Sequence, residues 1–180
     1  MLTLNTNDYV RYGTNGICKV LGREWKSNAY HGTKREYYVL QPVKGDGITL
    51  YVPADNDALL AKMAPMLTQD EIDELILSVK DEQTPWILDR TARNTYFQSV
   101  LRAGEFRDLL VLIRSIYLKR QELQREQKKL SFTDENALKD AETLVRKDFA
   151  FSLNIPEAEV GPYIRAVLGI PSDVQSGTGK

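Results

Sequence analysis

Over the first fifty residues, apolar and polar positions alternate in short runs broken by turn residues. Tyr9-Val10-Arg11-Tyr12 is followed by Gly13-Thr14-Asn15-Gly16 and then by Ile17-Cys18-Lys19-Val20-Leu21, which reads as strand, turn, strand. Residues 28–33 read as a loop, Glu36-Tyr37-Tyr38-Val39-Leu40 as a strand rich in aromatic and β-branched residues, and Lys44-Gly45-Asp46-Gly47 as a turn. Ile48-Thr49-Leu50-Tyr51-Val52-Pro53 forms the next strand. Four or five short strands at this spacing predict a small curled sheet or barrel.

After Pro53 the period lengthens from two to about 3.6, the change expected at a boundary between a sheet and a helical domain. Thr68 followed by Glu71 has the spacing of a capping box, and Ile72, Leu75, Ile76 and Val79 then share a face, predicting a helix over 69–80. Pro85 interrupts the pattern; a second helix is predicted over 87–102, ending near Gly104. Phe106, Leu109, Leu110, Ile113, Ile116 and Tyr117 make the most continuous apolar stripe, and the charged run from Lys119 to Lys129 puts that end in solvent. Ser131 or Thr133 caps a fourth helix carrying Leu138, Ala141, Val145, Phe149 and Leu153, with Asn154 as its stop. Pro156 fits the first turn of a last short helix closed by Gly169 and Pro171, and the small polar residues of 171–180 predict a flexible tail. The expected division is 1–60, 61–170 and 171–180, an α+β chain with an all-α C-terminal domain.

Charge changes this picture because it is unevenly distributed. The net charge is only -1, but residues 86–130 hold ten basic and five acidic side chains, while 54–85 hold two and eight. The basic third has the charge needed to approach phosphates, although a solvated helix surface has the same composition. The single Cys18 excludes an internal disulfide framework, and with the single His31 it cannot supply a four-ligand zinc site. No apolar run approaches the ~18 residues of a membrane span. A soluble, cytoplasmic protein without cofactor or metal is expected.

Candidate chemistry is sparse. Phosphate-binding loops, nucleophile elbows and zinc-binding helices are missing from the sequence, and one histidine with one cysteine makes a nucleophile-base pair hard to build, so no catalytic residue is assigned. His31 reads as a surface residue and Cys18 as a small core residue. The unusual residue is Trp86, which follows Thr84-Pro85 at an expected helix start and precedes Arg90, Arg93 and Arg102. A tryptophan among arginines can wedge into a minor groove while guanidinium groups hold phosphates. An inter-helix core tryptophan with solvated arginines is the plainer reading.

Several motifs occur in a familiar order: Asp8-Tyr9-Val10-x-Tyr12-Gly13-x-x-Gly16, Glu36-Tyr37-Tyr38-Val39-Leu40, Ile48 to Asn56, Trp86, Ala103-Gly104-Glu105, the Leu110 to Lys119 helix and the segment from Leu130-Ser131 to Asn154. In order and spacing, over roughly residues 7–155, they resemble CarD/CdnL proteins. The likeness is to the stand-alone regulator rather than the polymerase-binding module of transcription-repair translocases, since no helicase follows. The resemblance implies a Tudor-like β-barrel that binds the β subunit of RNA polymerase, and a helical domain that sets its tryptophan in the minor groove of promoter DNA at the upstream edge of the bubble. Lys26 and Tyr51 correspond to the family's polymerase-contacting positions, Tyr51 standing where some members have arginine. Trp86, Arg90, Arg93 and Arg102 become the expected DNA contacts. The expectation is a noncatalytic, monomeric transcription regulator that modulates open-complex stability; the alternative is an interaction adaptor with no DNA role.

Overall fold

The computed structural model describes residues 4–27, 33–44, 47–82 and 84–169, and the chain divides into two units, Met1–Met66 and Leu67–Lys180. His31, most of the expected 28–33 loop, the centre of the 44–47 turn and the expected tail lie outside the described residues.

The first unit contains β1 (Tyr9–Tyr12), β2 (Ile17–Ser27), β3 (Lys34–Pro42), β4 (Leu50–Pro53), α1 (Asp57–Leu60) and β5 (Met63–Pro65). The strands form one antiparallel sheet in the order β4-β3-β2-β1-β5. Period-two alternation sends Val10, Tyr12, Cys18, Val20, Tyr38, Leu40 and Val52 to one buried face, joined by Met63. The expected barrel is an open sheet: among the described residues no ladder joins β4 to β5. These are two of the shortest strands, four and three residues long.

Neither α1 nor β5 stood out in the sequence. Both follow from local features: Asn56 caps α1 through its side chain, and β5 is a three-residue strand recruited by β1. Because Met63 supplies core to the sheet, the first unit extends past residue 60.

The second unit comprises α2 (Gln69–Ser78), α3 (Arg90–Ala103), α4 (Phe106–Arg125), α5 (Phe132–Leu153) and α6 (Glu157–Val167). Thr68 and Glu71 form the reciprocal capping box anticipated at the start of α2. Ser131 caps α5, and Asn154, at φ 53°, ends it in the left-handed conformation its short polar side chain tolerates. Ile72, Ile76, Phe97, Leu109, Leu112, Ile116, Leu138, Val145 and Phe149 build a continuous core from four helices. Pro156 is the residue before α6 rather than within its first turn, and Pro162 lies inside that helix.

One expectation about the second helix needs correction. Its start is Arg90, not residue 87, because the Asp89 side chain accepts from the Ala92 N–H and fixes the cap there. Trp86 therefore does not open a helix. It sits four residues earlier in a non-helical segment.

Candidate functional site

In the sheet unit, Lys26 and Tyr51 reach the same face through a register change. β2 and β3 pair Val20 with Leu40 and then Gly22 with Val39, so Leu21 is an extra residue, a bulge. Without it, even-numbered residues of β2 would continue on the core face. With it, Lys26 moves to the side of its partner Arg35, which is also the side of Tyr37, Val39 and Tyr51. Gly22, at φ 140°, occupies a conformation that a residue with a side chain rarely adopts.

The Lys26 ammonium then stands 3.1 Å from the centre of the Tyr51 ring, and Tyr37 meets the same ring edge-on at 6.4 Å. Tyr51 keeps 40% of its surface in solvent. A cation over an aromatic ring is worth about 0.5–1 kcal/mol when exposed, which holds the two side chains together without burying them. On the opposite side of the same strands, Arg23 donates to the Tyr38 hydroxyl at 2.7 Å and pairs with Glu36 at 3.7 Å, while Trp25 is 66% exposed. Trp25 was missed because it neighbours no recognisable motif, though an aromatic residue near a hairpin end was visible in the sequence.

In the helical unit, Trp86 packs half-buried against the core, edge-on to Phe97 with ring centres 6.0 Å apart. Cations lie near its ring: the Arg93 guanidinium at 4.9 Å and the Lys119 ammonium at 5.9 Å. Trp86 is thus neither the free indole nor the fully enclosed core residue that the sequence left as alternatives.

Arg93 departs most from expectation. It is 7% exposed, and its guanidinium grips Asp134 in α5 with two parallel bonds, Nε to Oδ1 at 2.9 Å and Nη2 to Oδ2 at 3.1 Å. Nη1 donates to the carbonyls of Ile87 and Leu88 at 2.7 and 3.2 Å. Asp134, 4% exposed, also accepts from the Ser131 hydroxyl. These donors are committed inside the protein, and the guanidinium ties the 86–89 segment, α3 and α5 together. Sequence spacing placed Arg90 and Arg93 on one face, but Asp134 lies 41 residues beyond Arg93 and no local pattern connects them.

Arg90 is exposed at the start of α3. Arg102 is exposed too, in the last turn, where its Nε donates to the Gln98 carbonyl at 3.3 Å. At ~1.5 Å rise per residue the two are about 18 Å apart along the helix, so Arg102 does not join the cluster around Trp86. Cys18 is fully buried in the sheet core, and burial raises its thiol pKa. Among the described residues there is no group of three metal-ligating side chains, and no helix is long and apolar enough to cross a membrane.

Residues 4–64, spanning nearly the whole sheet unit, match the model of the CarD-like/TRCF RID domain family. No curated protein matches the chain.

Proposed function

We propose that this chain, a CarD-like family member through its N-terminal RID domain, is a noncatalytic regulator that joins RNA polymerase to promoter DNA. The observation that carries this reading is the family match over residues 4–64, because domains of this family bind the β subunit of RNA polymerase. The exposed pair Lys26 and Tyr51 supports a polymerase-binding surface on the outer face of β2 and β4. It combines a cation and an aromatic ring already held in place, and rigid aromatic and cationic anchors are the residue types that dominate interface energies.

The helical unit supplies the second contact. Lys119 lies near the Trp86 ring and exposed Arg90 follows Trp86 by four residues, in the region of the chain richest in positive charge. We assign Trp86 to the minor groove at the upstream edge of the melted promoter, Arg90 to a neighbouring phosphate, and Arg102 to a phosphate farther along the duplex. A wedge at that position opposes closure of the bubble and lengthens the life of the open complex. Two phosphate contacts bind weakly alone, so tethering through the RID domain provides the effective concentration that makes them useful.

Affinity capture of RNA polymerase by the full chain, followed by footprinting of a polymerase-promoter complex, tests the reading. Capture of polymerase and new protection at the upstream bubble edge are expected. Polymerase capture with an unchanged footprint would remove the DNA role and leave an adaptor.

A further inference from the structure

The two most exposed large apolar side chains among the described residues are Leu88, at 85%, and Phe132, at 81%. They are far apart in sequence, yet both are rooted at the same buried ion pair. The Leu88 carbonyl accepts from Arg93, and Phe132 lies two residues before Asp134, the partner of that arginine. Following this path atom by atom, the two backbone positions lie within roughly 20 Å, less than one turn of B-DNA at ~34 Å.

Neither residue owes its exposure to a missing backbone anchor. Leu88 sits in a segment clamped by Arg93, and Phe132 opens a helix whose cap is closed by the Ser131 hydroxyl and the Asp134 N–H. Two large apolar groups are therefore presented to water from well-fixed backbone, which is the form an inserting side chain takes. Charge selects the partner. Exposed Arg90 follows Leu88 by two residues and exposed Lys129 precedes Phe132 by three, while Lys128 beside it is ion-paired to Glu126 at 2.8 Å. The acidic groups at these helix starts are largely matched: Asp134 by Arg93, and Glu135 by Arg120. Asp89 caps the Ala92 N–H and is the acidic side chain left nearest Leu88.

We infer that Leu88 and Phe132 are apolar wedges for the minor groove of DNA, additional to Trp86 and positioned by the Arg93–Asp134 pair. The inference rests on the promoter-binding role proposed above and extends it: Trp86 is half-occupied by packing against Phe97, whereas Leu88 and Phe132 have their side chains free to enter a base step. Leucine and phenylalanine are among the residues that unstack base steps in this way, and they do so with little base specificity.

The test uses the full chain with bacterial RNA polymerase and a promoter duplex carrying 2-aminopurine at the upstream bubble edge. The variants are Leu88→Ser, Phe132→Ser, their double variant and Trp86→Ala. Because both residues are exposed, the serine variants should unfold at the wild-type denaturant midpoint and bind polymerase normally. The double variant should lower the 2-aminopurine signal that reports unstacking and shorten open-complex lifetime by about threefold to tenfold, the range expected for losing apolar insertion at a step. Wild-type fluorescence and lifetime in the double variant, with a shortened lifetime in Trp86→Ala, would overturn the two wedges and leave the promoter role standing. Unchanged lifetimes in both would overturn the promoter role as well. Loss of polymerase affinity in the double variant would make these residues protein contacts and overturn the inference.

Discussion

In the sheet unit, Lys26 and Tyr51 meet because strand geometry brings them together: alternation assigns faces, the bulge at Leu21 shifts them once, and pairing with β3 sets the register. In the helical unit, Trp86 and its neighbours are held by packing on Phe97 and by the long-range ion pair between Arg93 and Asp134, and the segment carrying Trp86 and Leu88 has no regular structure of its own. The first surface is a consequence of secondary structure. The second depends on tertiary structure, so it should be sensitive to changes at residues remote from its exposed side chains.

The largest effect should come from breaking that ion pair on one side. Arg93→Ala or Asp134→Ala leaves a buried charge without its partner, and each should destabilise the helical unit by about 3–5 kcal/mol in denaturant unfolding. Replacing both partners by apolar residues of similar volume should cost much less than the two single changes added together. An Arg93→Ala protein with wild-type stability would return Arg93 to the surface and dissolve the contrast between the two units.

In the sheet unit, Lys26→Glu combined with Tyr51→Ala should weaken polymerase binding by at least about 2 kcal/mol, roughly thirtyfold, while leaving the unfolding transition in place. Unaltered affinity would move the polymerase surface elsewhere on the sheet, with exposed Trp25 as the next position to change. A smaller effect is expected from Arg90→Ala and Arg102→Ala. Each should reduce the dependence of promoter binding on salt, in the polymerase complex, by about 0.9 in the slope of log K against log salt, the value for one phosphate. A change for Arg90 alone would restrict the DNA surface to the Trp86 end of α3.

The smallest effect is on pH. Burial raises the pKa of the Cys18 thiol, and burial with the neighbouring Cys18 raises that of the Tyr12 hydroxyl. The folded state therefore holds these protons more tightly than the unfolded state. The stability this contributes is present below the ordinary thiol and phenol ranges and declines as pH rises through the raised folded values. Stability of the sheet unit should fall in alkaline solution, and Cys18 should resist alkylation until the unit unfolds. Rapid native-state labelling would show that the sheet core is open at β2.

What could be read in the sequence divides along the same line. The β1 to β4 strands, the capping box at Thr68, the Ser131 cap (one of two candidates with Thr133) and the Asn154 stop are local patterns and all occur, although β2 and β3 run longer than the alternation read and β4 begins two residues later. The closed barrel did not follow, because closure requires a ladder between strands that are only four and three residues long. The Leu21 bulge was invisible, since one extra residue in a strand leaves the composition unchanged. Arg93 was grouped with Arg90 as a cation near Trp86, and its pairing with Asp134, 41 residues on, is not visible in any local pattern. Leu88 and Phe132 belong to no motif in the sequence, and only their exposure in the fold singles them out.

The most direct test of the bridge between polymerase and promoter is the lifetime of the open complex with Trp86→Ala, measured alongside the denaturant stability of the same protein. Trp86 is half-buried against Phe97, so its removal should cost some stability, but less than the roughly 3–5 kcal/mol of emptying a fully buried aromatic site. The account predicts that the folded variant still binds polymerase and that the open complex decays about one to two decades faster, the equivalent of about 1–3 kcal/mol for a lost aromatic contact with the bases. A normal lifetime in the folded, polymerase-bound variant, accompanied by a large loss of stability, would contradict it and make Trp86 a core residue.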